Sequence, residues 1–168
     1  MWLSQSDNVQ QLEQWQPTHA RWAELVALTQ LVGEARWLTV KFEWHQSSHV
    51  LVALVNDTVA GYLRFVVQPI GADAGCELVQ WRGAVLNEAK VLGFGVLPQF
   101  RRLGIGRNLQ QHAIQTATKL GCYQLRSHSS GKNIANHQLK LSMGFAVHPV
   151  ERNGDKRGAY FILPLKSE

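Results

Sequence analysis

No run of this sequence approaches the roughly 18 uninterrupted apolar residues that a membrane span needs, and Met1 to Gln11 shows no basic stretch followed by an apolar one. Neither a membrane segment nor a leader is expected, which points to a soluble, cytoplasmic protein. Cysteine is scarce. Cys76 and Cys122 lie far apart without a C-x-x-C partner, so a disulfide framework is excluded and both read as buried free thiols in a reducing compartment. The seven histidines fall at no recognised ligand spacing, so no structural metal is expected. Linkers, internal repeats and low-complexity segments are lacking as well. What remains is 168 residues with 45% hydrophobic content, enough to bury one core, and residues 1–168 read as a single domain.

Acidic residues are also in the minority, and the formal charge is +5. Clustered Lys and Arg can neutralise nucleic-acid phosphates, but no helix-turn-helix, zinc-finger or aromatic RNA-binding signature accompanies them. A polyanionic small ligand explains the excess equally well. The basic residues gather at Arg101, Arg102 and Arg107, with a second group at Arg152, Lys156 and Arg157.

The first group belongs to the most informative stretch, Val96-Leu97-Pro98-Gln99-Phe100-Arg101-Arg102-Leu103-Gly104-Ile105-Gly106-Arg107. It joins an apolar strand to a helix through a glycine-spaced turn. Glycines let the backbone approach a ligand closely, and the free amides of the following helix's first turn point outward as donors. Such a turn suits a pyrophosphate.

The spacing Arg101-x-x-Gly104-x-Gly106 after Val96-x-Pro98 resembles the acetyl-CoA signature of the GNAT superfamily of N-acyltransferases. A second block, Asn133-x-x-Asn136-x-x-Leu139-x-x-x-x-Gly144-Phe145, resembles that family's later helix. The resemblance spans roughly residues 88 to 163. It implies an α/β fold: a GNAT-like mixed, mostly antiparallel sheet of about six or seven strands flanked by helices, with a splayed strand pair holding CoA. It also implies acetyl transfer from acetyl-CoA to an amine, by direct attack in a ternary complex. The acceptor would be a small-molecule or peptide amine, and the protein a monomer or homodimer.

Along the chain, Thr18 is placed to cap a helix with apolar positions Trp22, Leu25, Val26, Leu28 and Val32, ended by Gly33. Residues 34–44 suit a second helix, although Trp37 to Phe42 would also serve as a strand. Val50 to Val55 and Val59 to Val67 form a hairpin about Asn56-Asp57, and Pro69 to Gly75 suits a loop before a brief strand at Glu77 to Trp81. Glu88 to Leu97, the helix after Gly106 and Tyr123 to Ser127 make a βαβ unit. A helix over Asn133 to Met143, with Ile134 and Leu141 on one face, and a last strand over Ala159 to Leu165 complete the reading.

For the cofactor, amides of Leu103, Gly104, Ile105, Gly106 and Arg107 would hold the pyrophosphate, with Arg101, Arg102 or Arg107 adding charge-assisted bonds. The resemblance adds backbone groups of Phe94 and Val96 for the pantetheine arm and thioester, and Asn133 for the same arm. Asn133 also reads as a helix N-cap, and Asn136 stands where the family has a small Ala.

Proton chemistry is less clear. Where many members carry a tyrosine acid, four residues before the Gly-Phe pair, this chain has Lys140, either a proton donor or a solvated lysine. Lys90 occupies the family's strand-carboxylate position. Glu88, two residues earlier, is a base candidate or a salt-bridged carboxylate, and His128 a base candidate or a surface histidine. Trp37, Trp44, Phe65 and Trp81 could line an acceptor pocket or fill the core. The lack of a clear carboxylate base also admits a CoA-binding sensor module without transferase activity.

Overall fold

The computed structural model describes residues 10–165, so most of the stretch Met1 to Gln11 lies outside it. Seven strands form one sheet in the order β1-β2-β3-β6-β7-β9-β8. These are β1 (Gln10–Trp15), β2 (Ser47–Val55), β3 (Thr58–Pro69), β6 (Asn87–Val96), β7 (Gln124–Ser129), β8 (Ala146–Pro149) and β9 (Ala159–Pro164). All neighbours run antiparallel except β6 and β7, which are parallel and joined by helix α3 (Ile105–Lys119). Helices α1 (Trp22–Leu31) and α2 (Ala35–Thr39) follow β1, and α4 (Ile134–Ser142) follows β7. No described helix is long and apolar enough to cross a membrane.

The central hairpin is buried on both faces, because strand alternation divides its β-branched run. Leu51, Ala53 and Val55 join the core under α3, whereas Val50, Val52 and Leu54 join the one under α1 and α2. Asn56 and Asp57 both have positive φ, 47° and 65°, the geometry that a two-residue hairpin turn needs to match strand twist.

Several expectations change in the structure. Thr18 caps nothing: α1 begins at Trp22, with Arg21 in the cap position and no side-chain cap. The strand alternative at Trp37 to Phe42 fails because the buried Arg64 guanidinium takes the carbonyls of Trp37 and Val40 at 2.7 and 2.8 Å. The brief strand shrinks to β4 (Gln80–Trp81), which pairs only with β5 (Ala84–Val85) in a separate ribbon. Cys76 is exposed on that excursion, while Cys122 is buried. Strands β1 and β8 carry too little apolar alternation to be foreseen.

Helix α4 reverses the expected faces. Ile134 and Leu141 are 63% and 53% exposed, while Lys140 is 0% exposed against the sheet. The solvated alternative for Lys140 is thereby overturned. Its Nζ lies over the rings of Phe145 and Phe161, at 5.6 and 6.0 Å from their centroids, and burial pushes it down to about 7. A folded-state value below the unfolded one means that the unfolded chain binds more protons between about 7 and 10.5, so stability rises with pH across that window. Lys140→Met should stabilise the fold by on the order of 3 kcal/mol near neutrality. Urea denaturation should show a larger gain at about pH 6 than at about pH 9; equal gains would contradict the buried titration.

Candidate active site

The site is built where β6 leaves β7. Their parallel pairing runs only from Glu88↔Gln124 to Val91↔Ser127. Opposite, Arg64 pairs with Gly93 and Phe65 with Val91, so Leu92 is an extra residue, a bulge that bends β6 at the end of that ladder. Gly93 and Gly95 allow the bend to pack: a Cβ on Gly93 would collide with the Tyr62 hydroxyl, and one on Gly95 would stand 2.9 Å from Val32. Past the bulge the strands diverge around a cleft of about 930 Å³.

At the far end of β6, Pro98–Phe100 forms a single helical turn, and the backbone then passes through positive φ at Arg102 (63°) and Gly104 (80°). Gly104 carries no side chain to strain there. The first helical bond is Asn108 N–H to Gly104 O at 3.0 Å, which leaves the amides of Ile105, Gly106 and Arg107 without intrahelical partners. No acidic residue sits in that first turn to compete for them. Gly106 is needed for space, since a Cβ would meet Phe94 Cζ at 3.2 Å and Leu139 Cδ2 at 3.5 Å.

The flanking arginines divide their work. Arg101 Nε donates to Val96 O at 3.1 Å and Arg107 Nη2 to Ser142 Oγ at 2.8 Å, tying the turn to β6 and to α4. Arg102 is exposed, and Leu103 is 38% exposed while Ile105 is buried in the core. The Leu103 carbonyl accepts from Gln10 Nε2 at 2.7 Å, which anchors the turn to the edge strand.

Of the residues singled out in the sequence, Phe94, His128 and Asn133 line the cleft, whereas Val96, Arg101 to Arg107 and Lys140 are outside its lining. Asn133 accepts the Asn136 amide at 3.2 Å, the expected N-cap. His128 is half-buried, with its Nε2 buried and unpartnered. Burial and then the charge of Arg152 and Lys90 lower its pKa, so the ring is neutral near pH 7.

Of the two readings of Glu88, the structure has the salt-bridged carboxylate and not the base. The residue is 0% exposed and does not line the cleft, because its carboxylate is consumed below the splay. Oε1 accepts from Gln68 at 3.1 Å and Oε2 from Gln124 at 2.9 Å, and Arg126 Nη2 closes on Oε1 at 2.6 Å. A base needs a free lone pair at the substrate, and Glu88 has neither the exposure nor the freedom. Lys90 is engaged as well, 2.9 Å from Asp73. Burial raises the Asp73 carboxyl, but Lys90 and Arg126 outweigh it and hold the group at about 2.

Trp37 and Trp44 line the cleft, whereas Phe65 is fully buried and Trp81 is 63% exposed on the β4–β5 ribbon. Glu34, which the sequence reading missed, also lines the cleft, and burial pushes its carboxyl up to about 7. Its only local mark was its place just after the helix-stopping Gly33. Asn136 directs Nδ2 to Ser129 Oγ at 3.1 Å and leaves Oδ1 buried without a partner.

The acetyltransferase (GNAT) family profile matches residues 10–145. Over 92 residues the chain is 33% identical to the ribosomal protein bS18-alanine N-acetyltransferase of Escherichia coli K12, and equally to that of Shigella flexneri. That stretch is 55% of this chain and 60% of the relative, so the match spans about three fifths of the relative's length. Among solved structures, Arabidopsis thaliana NAA60 in complex with a bisubstrate analogue superposes with a TM-score of 0.71 at 14% identity, covering 95% of this chain and 100% of that one. Salmonella typhimurium yncA, described as a putative acetyltransferase with its cofactor acetyl-CoA, gives 0.62 at 19% identity and 96% of both chains. These two likenesses establish the fold. With more than half of its length matched by the family profile, the chain belongs to the acetyltransferase (GNAT) family.

Proposed function

We propose that this protein is an acetyl-CoA-dependent N-acetyltransferase whose acceptor is the amine of a peptide or protein. The observation that carries the cofactor assignment is the turn at Gly104 and Gly106. Its unpartnered helical amides, surrounding arginines and the Cβ-free space beside Phe94 suit a diphosphate. The buried, unpartnered Asn136 Oδ1 supplies an acceptor for an amide N–H farther along the cleft. Acetyl-CoA, when bound, supplies an acetyl group activated as a thioester.

The chain's own residues do the rest. The β6 backbone beyond Val91 is not paired to β7, which leaves main-chain groups of Phe94 and the Val96 amide on that edge for the pantetheine arm and the thioester carbonyl, while the Val96 carbonyl is held by Arg101 Nε. The amine arrives as an ammonium and must lose a proton before it can attack. Neutral His128, with its unpartnered Nε2, takes that proton. Glu34, which also lines the cleft, draws the ammonium in and is ionised above about 7. The peptide acceptor follows from the volume of the cleft, its Trp37 and Trp44 wall, and the acceptor named for the Escherichia coli relative.

Gly104→Asp should test the cofactor assignment cleanly. The space around a Cβ at this position is open, so the variant can fold while placing a carboxylate in the anion cradle. Isothermal titration should show acetyl-CoA binding at least tenfold weaker, with Gly104→Asn, equally strained but uncharged, close to wild type. Equal affinity in Gly104→Asp would remove the turn from the site.

His128→Gln should lower kcat by about 100-fold with acetyl-CoA affinity unchanged. It should also abolish the acidic limb of the wild-type pH profile, which lies below the ordinary histidine value because the His128 pKa is lowered. Release of CoA thiol should be seen with alanine-initiated peptides and lost when their α-amine is blocked. Binding of acetyl-CoA without thiol release on any peptide or small amine would instead mark a CoA-binding module that does not transfer.

A further inference from the structure

The second basic group of the sequence, Arg152, Lys156 and Arg157, falls on the connection between β8 and β9, where the cofactor turn makes no use of it. That connection is held in one shape. Arg152 and Asp155 face each other in an antiparallel bridge, with Arg152 N–H to Asp155 O at 3.4 Å and the return bond at 3.0 Å. Between them Asn153 and Gly154 have φ of 52° and 76°, the positive pair that closes a two-residue turn. Asp155 then fastens the turn to the cleft. Its Oδ2 accepts from Ser130 Oγ at 2.9 Å and from the Gly131 amide at 3.1 Å, and its Oδ1 accepts from the Arg157 amide at 3.0 Å. Gly131 is needed for this contact, since a Cβ there would collide with Arg157.

What the turn holds at the cleft is the Arg152 guanidinium. Its Cζ lies 5.8 Å from the centroid of the Trp37 ring, and that of Arg36, on α2, lies 5.1 Å from the same centroid. All three residues line the cleft. A guanidinium stacked on an aromatic face keeps its N–H edge for a bidentate acceptor. Among the described residues, neither Arg36 nor Arg152 makes a side-chain hydrogen bond or an ion pair, and the neighbouring Glu151 pairs with neither. Lys90 differs, because Asp73 neutralises it at 2.9 Å. Trp44, which lines the same cleft, adds a buried Nε1 donor without an acceptor. Two like charges gathered on one ring repel, and donors without acceptors suit an anionic group on the ligand.

The distance to the base sets where that group sits on the acceptor. Val150 N–H bonds to Gly158 O at 3.1 Å, and Gly158 packs on the proposed base, where a Cβ would stand 3.0 Å from His128 Nε2. Arg152 is two residues farther along, about 7 Å at the rise of an extended strand. An extended acceptor covers the same span in two residues. Burial first and Arg152 second lower the His128 pKa, so the charge at Arg152 is felt at the ring.

Resting on the peptide-acetyltransferase reading above, we infer that the acceptor carries a carboxylate side chain at its second or third residue, bound by Arg152 with Arg36 beside it. Glu34 receives the ammonium and the two arginines receive the carboxylate, so the cleft reads both charges of a short segment. A lysine at those positions would instead meet two unpaired guanidiniums. Arg152 and Arg36 select the acceptor and take no part in the transfer of the acetyl group.

The test uses the full chain saturated with CoA and peptides that begin with alanine and carry two glutamates, two alanines or two lysines at the next positions. Isothermal titration should show the acidic peptide binding wild type about tenfold more tightly than the neutral one. Arg152→Gln should erase most of that preference, and Arg152→Glu should turn it toward the lysine peptide. Lys119→Gln removes the same charge from the last turn of α3, outside the cleft lining, and should retain the preference. Acetyl-CoA affinity, measured alongside, reports that each variant is folded. A wild type indifferent to peptide charge, a preference that persists in Arg152→Glu, or an equal loss in Lys119→Gln overturns the assignment. Release of CoA thiol from acetyl-CoA separates this inference from the reading on which it rests. Equal turnover of acidic and neutral peptides sinks the carboxylate site alone, whereas Arg152-dependent binding without thiol release from any peptide sinks the transferase reading and leaves the site standing.

Discussion

The parting of β6 from β7 is the constraint on which the rest of the site depends. Two parallel strands held together along their length would leave no cleft, and two strands not held at all would leave no defined vertex. The chain meets both needs by stapling one end and wedging the other. At the closed end, Glu88 lies between Gln68 and Gln124 on the neighbouring strands, with Arg126 bridging to Asp73 and Lys90 beside it. At the open end, the Leu92 bulge turns β6 aside and the Phe94 ring fills the space that Gly106 leaves under the first turn of α3. A carboxylate that looked like a base in the sequence is thus part of the staple that sets where pairing stops.

The polarity of α4 follows from the same geometry. A helix laid over a splayed strand pair faces polar strand residues rather than a continuous apolar sheet, so its inward positions carry Asn136 and Lys140 while Ile134 and Leu141 face outward. The usual argument from helical periodicity, that the apolar stripe marks the core, fails here because this part of the interior is lined by Ser127 and Ser129.

What could be read from the sequence was what lay in contiguous pattern. The central hairpin, the βαβ unit, the glycine turn and the Asn133 cap all depend on residues within a few positions of one another, and the structure has each of them. What could not be read depends on partners distant in the chain. The Arg64 guanidinium that keeps residues 37–40 out of a strand is more than twenty residues away from them. Glu88 is consumed by Arg126 across 38 positions. Glu34 enters the cleft only because α1 and α2 pack over β3 and β6. Polar edge strands such as β1 and β8 carry little local signature, since half or more of their surface meets water.

The order of the sheet bears on how the protein comes into being. Strand β9 is the last described strand in the chain, yet it lies between β7 and β8, with Tyr160 opposite His128 and Phe161 opposite Ser127. Its rings also roof Lys140 and Arg126. During synthesis, the glycine turn and both walls of the splay emerge well before this strand does, but the histidine and the buried amine acquire their surroundings only when residues 159–164 have left the ribosome and threaded between their neighbours. An unfinished chain can therefore form the glycine turn while His128 and Lys140 are still wet, so the last strand is what completes their surroundings.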